Sequence, residues 1–271
     1  MRVALKLAYI GTEFHGSQIQ PSVETVEKEL FKALRNLRII ESPPKSANYI
    51  CAGRTDAGVH ALGQVIAFDT DRPNLAIPRI INSGLPPTIW VWAHAEVPPY
   101  DFDARRHAVS RHYRYVISGE GYDISKMREA SKLLLGTHDF ENFSRSNGEK
   151  STVRTLERIN VRVDGDITKI DVVGNSFLWN MVRKIVTALS MIGKGVRDND
   201  WLIQMLNPDI YEEGIEPAPA YGLTLMGVNY GEEINWIEDN YSIRRASDQN
   251  SKRILRYRVM AEVLEELIYH E

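Results

Sequence analysis

The chain of 271 residues contains one cysteine, Cys51. An intramolecular disulfide is therefore excluded, and a lone thiol suits a reducing cytoplasm better than a secreted scaffold. No run approaches the roughly 18 apolar residues that a membrane-spanning helix requires. The opening MRVALKLAYIG lacks the longer apolar core and small-residue cleavage site of a secretion signal, and it alternates as a strand does. Positive charge is not in excess either: 33 Lys and Arg stand against 36 Asp and Glu, a formal net charge of −3. A polyanionic ligand would have to meet a local basic patch rather than a basic chain. The seven histidines and the cysteine show no metal-site spacing, so no metal is expected.

The hydrophobic residues, 43% of the chain, are enough to build the core of one large domain or two modest ones. Their spacing gives the order of elements. Val3, Leu5, Leu7 and Tyr9 share one face of a strand over 3–10. Ser22 is placed to cap a helix on which Val26, Leu30, Leu34 and Leu37 recur every three to four residues. Strands at 48–52 and 64–69, a short helix at 77–83 and a strand at 88–96 complete a β-α-β-β-α-β series. The second half repeats it: a strand at 110–118, a helix at 125–135, strands at 153–163 and 167–173, a helix at 177–192 and a last strand at 223–230. A short helix near 200–206 precedes that last strand.

This order predicts an α+β fold of two tandem ferredoxin-like halves. Their antiparallel sheets are expected to join into one central sheet, with a catalytic cleft between the halves. The expected units are 1–104, 105–231 and an extension over 232–271, with the first boundary within 98–109. In the extension, 235–250 reads as an irregular polar connector and 251–269 as a charged amphipathic helix.

Two segments carry candidate chemistry. In CAGRTDAGVHALG, from Cys51 to Gly63, two glycines, Gly53 and Gly58, flank Arg54, Thr55 and Asp56. The loop can therefore take positive φ and let another backbone approach. On those residues alone it is a turn, with Asp56 accepting backbone N–H groups and Arg54 solvated. From Phe102 to Tyr115, the arginines Arg105, Arg106, Arg111 and Arg114 and two histidines stand against one acid, Asp103, with two tyrosines interleaved.

CAGRTDAGVHALGQV resembles the signature around the nucleophile of the TruA family of tRNA pseudouridine synthases, archaeal type. SRHYRYVI (110–117), GNSFLWNMVRKIV (174–186) and GLTL (222–225) resemble three further motifs of that family, in its order. The resemblance extends from Val3 to Tyr230. It implies an isomerase that breaks the bond between ribose C1′ and uracil N1 and rejoins the base through C5, in the anticodon stem-loop at positions 38, 39 and 40. Such a reaction needs neither redox change nor hydrolysis, and no cofactor is expected.

By resemblance, Asp56 is the nucleophile, attacking C6 of uracil or assisting departure from C1′. Arg183 pairs with it, since a buried carboxylate rises in pKa unless a cation opposes it. Tyr113 lies against the uracil and is a candidate for moving the C5 proton, and Leu223 packs on the other face. Arg54 helps hold the nucleotide out of its stack, Gln18 faces the RNA, and Arg111, with the rest of the basic run, meets phosphates. His60 and Gln64 support the loop. Tyr115 reads as an ordinary core aromatic. Arg111 shares a strand face with Tyr113, while Arg114 points away.

One departure lies in FHGSQIQ (14–20), where Ser17 stands in place of a frequent tryptophan, so an RNA-facing segment with less stacking is expected. The implied partners are tRNA and a second copy of the chain in a homodimer, with no membrane. Two alternatives remain: the same chemistry at other tRNA positions, and a catalytically silent RNA-binding protein. Retention of Asp56, Arg54, Tyr113 and Arg183 weighs against silence.

Overall fold

The computed structural model describes residues 1–41, 46–98, 102–119, 121–145, 151–209, 211–231 and 234–268. The first half runs β1 (Arg2–Tyr9), α1 (Val26–Asn36), β2 (Ile50–Cys51), β3 (His60–Asp69), α2 (Pro78–Asn82) and β4 (Ile89–Val97). The second runs β5 (Ser110–Ser118), α3 (Ile124–Leu133), β6 (Gly136–Asp139), β7 (Val153–Asp164), β8 (Ile167–Gly174), α4 (Met181–Gly193), α5 (Asn199–Met205) and β9 (Leu223–Asn229). β10 (Ile237–Glu238) and α6 (Asn240–Glu266) follow.

The strands form one ten-stranded sheet, in the order β10-β4-β1-β3-β9-β5-β8-β7-β6, with β2 paired to β3. The first half thus contributes β4-β1-β3 and the second β9-β5-β8-β7, each with its first strand beside its last. Neighbours are antiparallel except at the seam, where β3 and β9 run parallel through His60↔Thr224 and Ala61↔Leu225. Gly63 allows this approach: a Cβ there would stand 2.6 Å from the Met226 carbonyl oxygen.

Both sets of helices lie on one face of the sheet. Leu225 belongs to the core under α1 and α2, and Leu223, on the same face of β9, to the core under α3, α4 and α5. Tyr113 packs against both cores and so stands at the seam. Tyr115 is the core residue expected, 2% exposed, its hydroxyl donating to Pro219 O at 2.8 Å.

Three local expectations need correction. Thr25, not Ser22, caps α1, its side chain accepting from Lys28 N at 3.3 Å. Ser22 sits in a turn with φ of 64°. The helix expected from 177 starts at Met181, because Asn180 is left-handed (φ 66°) and breaks the run. The residues expected as an irregular connector over 235–250 instead form β10 and the start of α6. The expected end of that helix, Tyr269, lies outside the described residues.

The extension docks on the first half. Lys6 Nζ lies 4.9 Å from the Trp92 ring and 4.7 Å from that of Trp236. Asp239 caps α6 through Ser242 and pairs with Arg79 at 3.0 Å. Among the described residues no helix is long and apolar enough to cross a membrane.

Candidate active site

The loop between β2 and β3 is held at residues on either side of Asp56. Ser17 accepts from Thr55 N at 2.9 Å through its hydroxyl, and Ser17 N donates to Thr55 O at 3.0 Å. The Thr55 hydroxyl meets that of Tyr9 at 2.7 Å. Gly11 admits the far side of the loop, since a Cβ there would lie 1.9 Å from Val59 O. His60 Nδ1 accepts from Gly11 N at 3.1 Å, so the proton sits on Nε2, which donates to Tyr221 O at 3.0 Å. Burial lowers the pKa of His60, which keeps that neutral tautomer. Gln64 Nε2 donates to Gly53 O at 2.8 Å. His60 and Gln64 thus support the loop, as expected.

Gln18, Arg54, Asp56, Arg111, Tyr113, Arg183 and Leu223 all line one cleft of about 770 Å³ at the seam. They come from the loop after β1, the loop before β3, strand β5, helix α4 and the start of β9. Every residue singled out as a site residue from the sequence is therefore in one place. Leu223 is 6% exposed, and the Tyr113 ring meets Phe177 edge-on at 5.1 Å between centroids.

Asp56 and Arg183 approach loosely, with Nη1 and Oδ2 3.7 Å apart. The guanidinium is held elsewhere: its Nε donates to Ala218 O at 2.5 Å and its Nη1 to Asn180 Oδ1 at 3.0 Å. Burial pushes the pKa of Asp56 above the ordinary value of 3.8; the Arg183 charge and a hydrogen bond from Trp179 oppose this only in part. Burial also raises the Tyr113 phenol to about 12, so it is neutral near pH 7. Cys51, buried as well, is raised to about 12 and is a poor nucleophile.

The basic run divides. Arg111 reaches the cleft but gives its N–H groups to four backbone carbonyls, those of Ala52, Arg105, Ala108 and Asn175. Arg114 points away, as expected, and joins His112 and Arg162 on the buried Asp171. Arg105 lines the cleft, and the Arg106 side chain is 86% exposed. Of the cleft arginines singled out, Arg54 and Arg105 are exposed to solvent.

Ser17 departs from expectation: it is 3% exposed and faces Thr55, not solvent. Trp179, Asn180 and Glu27 also line the cleft and were not singled out from the sequence. A helix assumed to begin at 177 concealed the first two, whereas the helix starts at Met181, after the left-handed Asn180. Glu27 gave no signal beyond its place on α1. Its carboxylate accepts from Ile19 N at 2.9 Å and from the Tyr49 hydroxyl at 3.2 Å.

Comparison with known proteins bears on this arrangement. A family model described as tRNA pseudouridine synthase matches residues 6–105 and 130–231. A tRNA pseudouridine synthase A of Methanosarcina mazei is 99% identical over 271 residues, all of both chains. One of Methanococcoides burtonii is 63% identical over 271 residues, covering all of this chain and 98% of its own. One of Archaeoglobus fulgidus is 46% identical over 256 residues, 94% of this chain and 93% of its own.

Proposed function

The chain belongs to the tRNA pseudouridine synthase family and is an isomerase of that class, and on this premise we propose that it converts uridine to pseudouridine at positions 38, 39 and 40 of the tRNA anticodon stem-loop. The observation that carries the reading is Asp56, a partly desolvated carboxylate 3.7 Å from a fixed guanidinium, opening on a cleft walled by Tyr113 and Leu223. Ionised, Asp56 is the nucleophile; Arg183 opposes the rise in its pKa. A flipped uracil rests between the Tyr113 ring and Leu223, where stacking contributes roughly 1–3 kcal/mol. A phenol with a pKa of about 12 is neutral near pH 7 and suits the role of platform. Arg54, exposed at the rim, occupies or braces the space the nucleotide leaves. Gln18 touches the RNA beside it.

Because Arg111 is committed to backbone carbonyls, Arg54, Arg105 and Arg106 carry the phosphate contacts in this reading. Binding of tRNA weakens as salt rises, through counterion release. The enzyme works in the cytoplasm as a homodimer, with tRNA touching both subunits.

Incubation with tRNA tritiated at uridine C5 tests the chemistry. The wild-type protein releases tritium and Asp56→Ala does not; release by Asp56→Ala at the normal rate removes Asp56 from its role. Chemical mapping of pseudouridines in cells lacking the protein tests the positions, and loss of modified sites outside 38, 39 and 40 reassigns the substrate.

A further inference from the structure

Between β8 and α4 the chain sends consecutive residues to different places. Leu178, 6% exposed, fills the core of the second half. Trp179 lines the cleft and is 39% exposed. The backbone there is fixed: Trp179 O accepts from Arg145 N at 3.0 Å, and the left-handed Asn180 follows at once. The segment carrying Arg145 is fixed in turn by α4, whose buried Lys184 donates to Ser144 O at 2.5 Å and to Asn142 O at 3.4 Å. The Arg145 guanidinium then stands over the indole, 4.7 Å from its centroid.

The indole therefore has three different surroundings. Its N–H is turned to Asp56. A face carries the guanidinium. The exposed remainder opens on solvent at the cleft, although Leu178 already completes the core beneath it. A large planar surface held in place beside the nucleophile is suited to a second planar group.

What that group is follows from the reaction proposed above, on which this step rests. A flipped uridine leaves each neighbouring base with an unstacked face. Tyr113 and Leu223 receive the uracil and Arg54 braces the gap, which leaves the neighbouring base without a partner. Three successive target positions have different neighbours, so a contact beside the target must tolerate any base. Stacking does, because every base has a π face. A guanidinium can stack on a ring and still bind phosphate.

We propose that Trp179 and Arg145 form a subsite for the nucleotide next to the target uridine, the indole stacking on its base and the guanidinium meeting its phosphate. The platform and the N–H turned to Asp56 are separable by substitution. Phenylalanine keeps a ring and loses the donor; leucine keeps an apolar side chain and loses the ring.

A double-mutant cycle between protein and RNA tests the subsite. Kd is measured by filter binding in the Asp56→Asn background, which leaves uridine unconverted and keeps an acceptor beside the indole. The RNAs are intact tRNA and tRNA with an abasic nucleotide on the 5′ or the 3′ side of the target uridine. Trp179→Leu weakens binding of intact tRNA about tenfold, and Trp179→Phe about threefold or less. At one flank the abasic nucleotide weakens binding about as much as Trp179→Leu, and the two together weaken it no more than either alone. Arg145→Ala lowers the salt dependence of binding by about one phosphate contact. Equal abasic effects with and without Trp179 at both flanks overturn the proposal. So does binding by Trp179→Phe as weak as that of Trp179→Leu. Coupling of Trp179 to an abasic target position, and to neither flank, overturns it by assigning the indole to the uracil pocket. Tritium release is measured on the same substitutions with Asp56 intact. Release that fails in the parent while the coupling holds removes the catalytic reading and leaves the subsite; normal release without coupling does the reverse.

Discussion

Arg183 stands 3.7 Å from Asp56 yet is anchored by other groups, the carbonyl of Ala218 and the side chain of Asn180. The guanidinium is therefore fixed before any substrate arrives. Asp56 gains a nearby charge without giving an oxygen to a close hydrogen bond with it. A carboxylate held in this way stays available for attack, at the cost of a raised pKa.

The first prediction concerns the acid limb of the pH profile. If ionised Asp56 does the chemistry, kcat/KM for tritium release falls as pH drops through the pKa of Asp56, which lies above the ordinary 3.8. Arg183→Met removes the opposing charge. The limb should then move upward by about one unit or more, with Arg183→Lys in between. Equal limbs in wild type and Arg183→Met would remove Arg183 from its place as counterion.

The second prediction concerns stability. A carboxyl whose folded pKa is raised contributes stability that is present below its unfolded pKa and lost as pH rises through the folded one. Near neutral pH the ionised Asp56 is therefore a burden on the fold. Asp56→Asn should abolish tritium release and raise the Tm at pH 7, with the gain shrinking on acidification toward pH 4. A lower Tm at pH 7 would mean that the loop needs the charge of Asp56.

The order of elements and the cleft residues were legible in the sequence because both have short-range signatures. Alternation at Val3 to Tyr9 and the helical recurrence from Val26 to Leu34 follow from backbone geometry alone. The seven cleft residues were found by motif; without it, Leu223 would be a core leucine and Asp56 a turn residue. Three things were hidden, two of them because they depend on contacts distant in sequence. Ser17 reads as an exposed polar residue until Thr55, 38 positions later, supplies its partners. Arg111 reads as a phosphate ligand until four carbonyls claim it. Asn180 looks helical, since nothing in its neighbours announces a positive φ.

The third prediction follows from Ser17. Ser17→Ala leaves the buried amide of Thr55 without its acceptor, a loss of about 1–3 kcal/mol. The next residue is Asp56, so the strain should also reach the chemistry. A lower Tm is expected, with reduced kcat and little change in KM, measured by thermal unfolding and single-turnover tritium release. Ser17→Trp, although it restores a residue frequent in the family, has no room at a site 3% exposed and should destabilise the protein more than Ser17→Ala. A fully active, equally stable Ser17→Ala would reduce Ser17 to a space filler.

The fourth prediction separates the two tasks of Asn180, its left-handed backbone and its contact with Arg183 Nη1. Asn180→Gly keeps the first, since glycine takes positive φ freely, and removes the second. The melting temperature should change little, while Arg183 loses one of its two anchors. Slight misplacement of a catalytic pair lowers turnover, here by about tenfold in kcat with KM nearly unchanged. Asn180→Ala adds backbone strain of about 1–2 kcal/mol at this φ, so it should lose both stability and turnover. Asn180→Asp keeps the acceptor and tolerates the backbone, but sets a second negative charge near Asp56. Its acid limb should shift upward, as in Arg183→Met, with less loss of kcat at high pH. If Asn180→Gly instead matches wild type in kcat, Ala218 O alone suffices to fix Arg183, and the side chain of Asn180 serves only the turn.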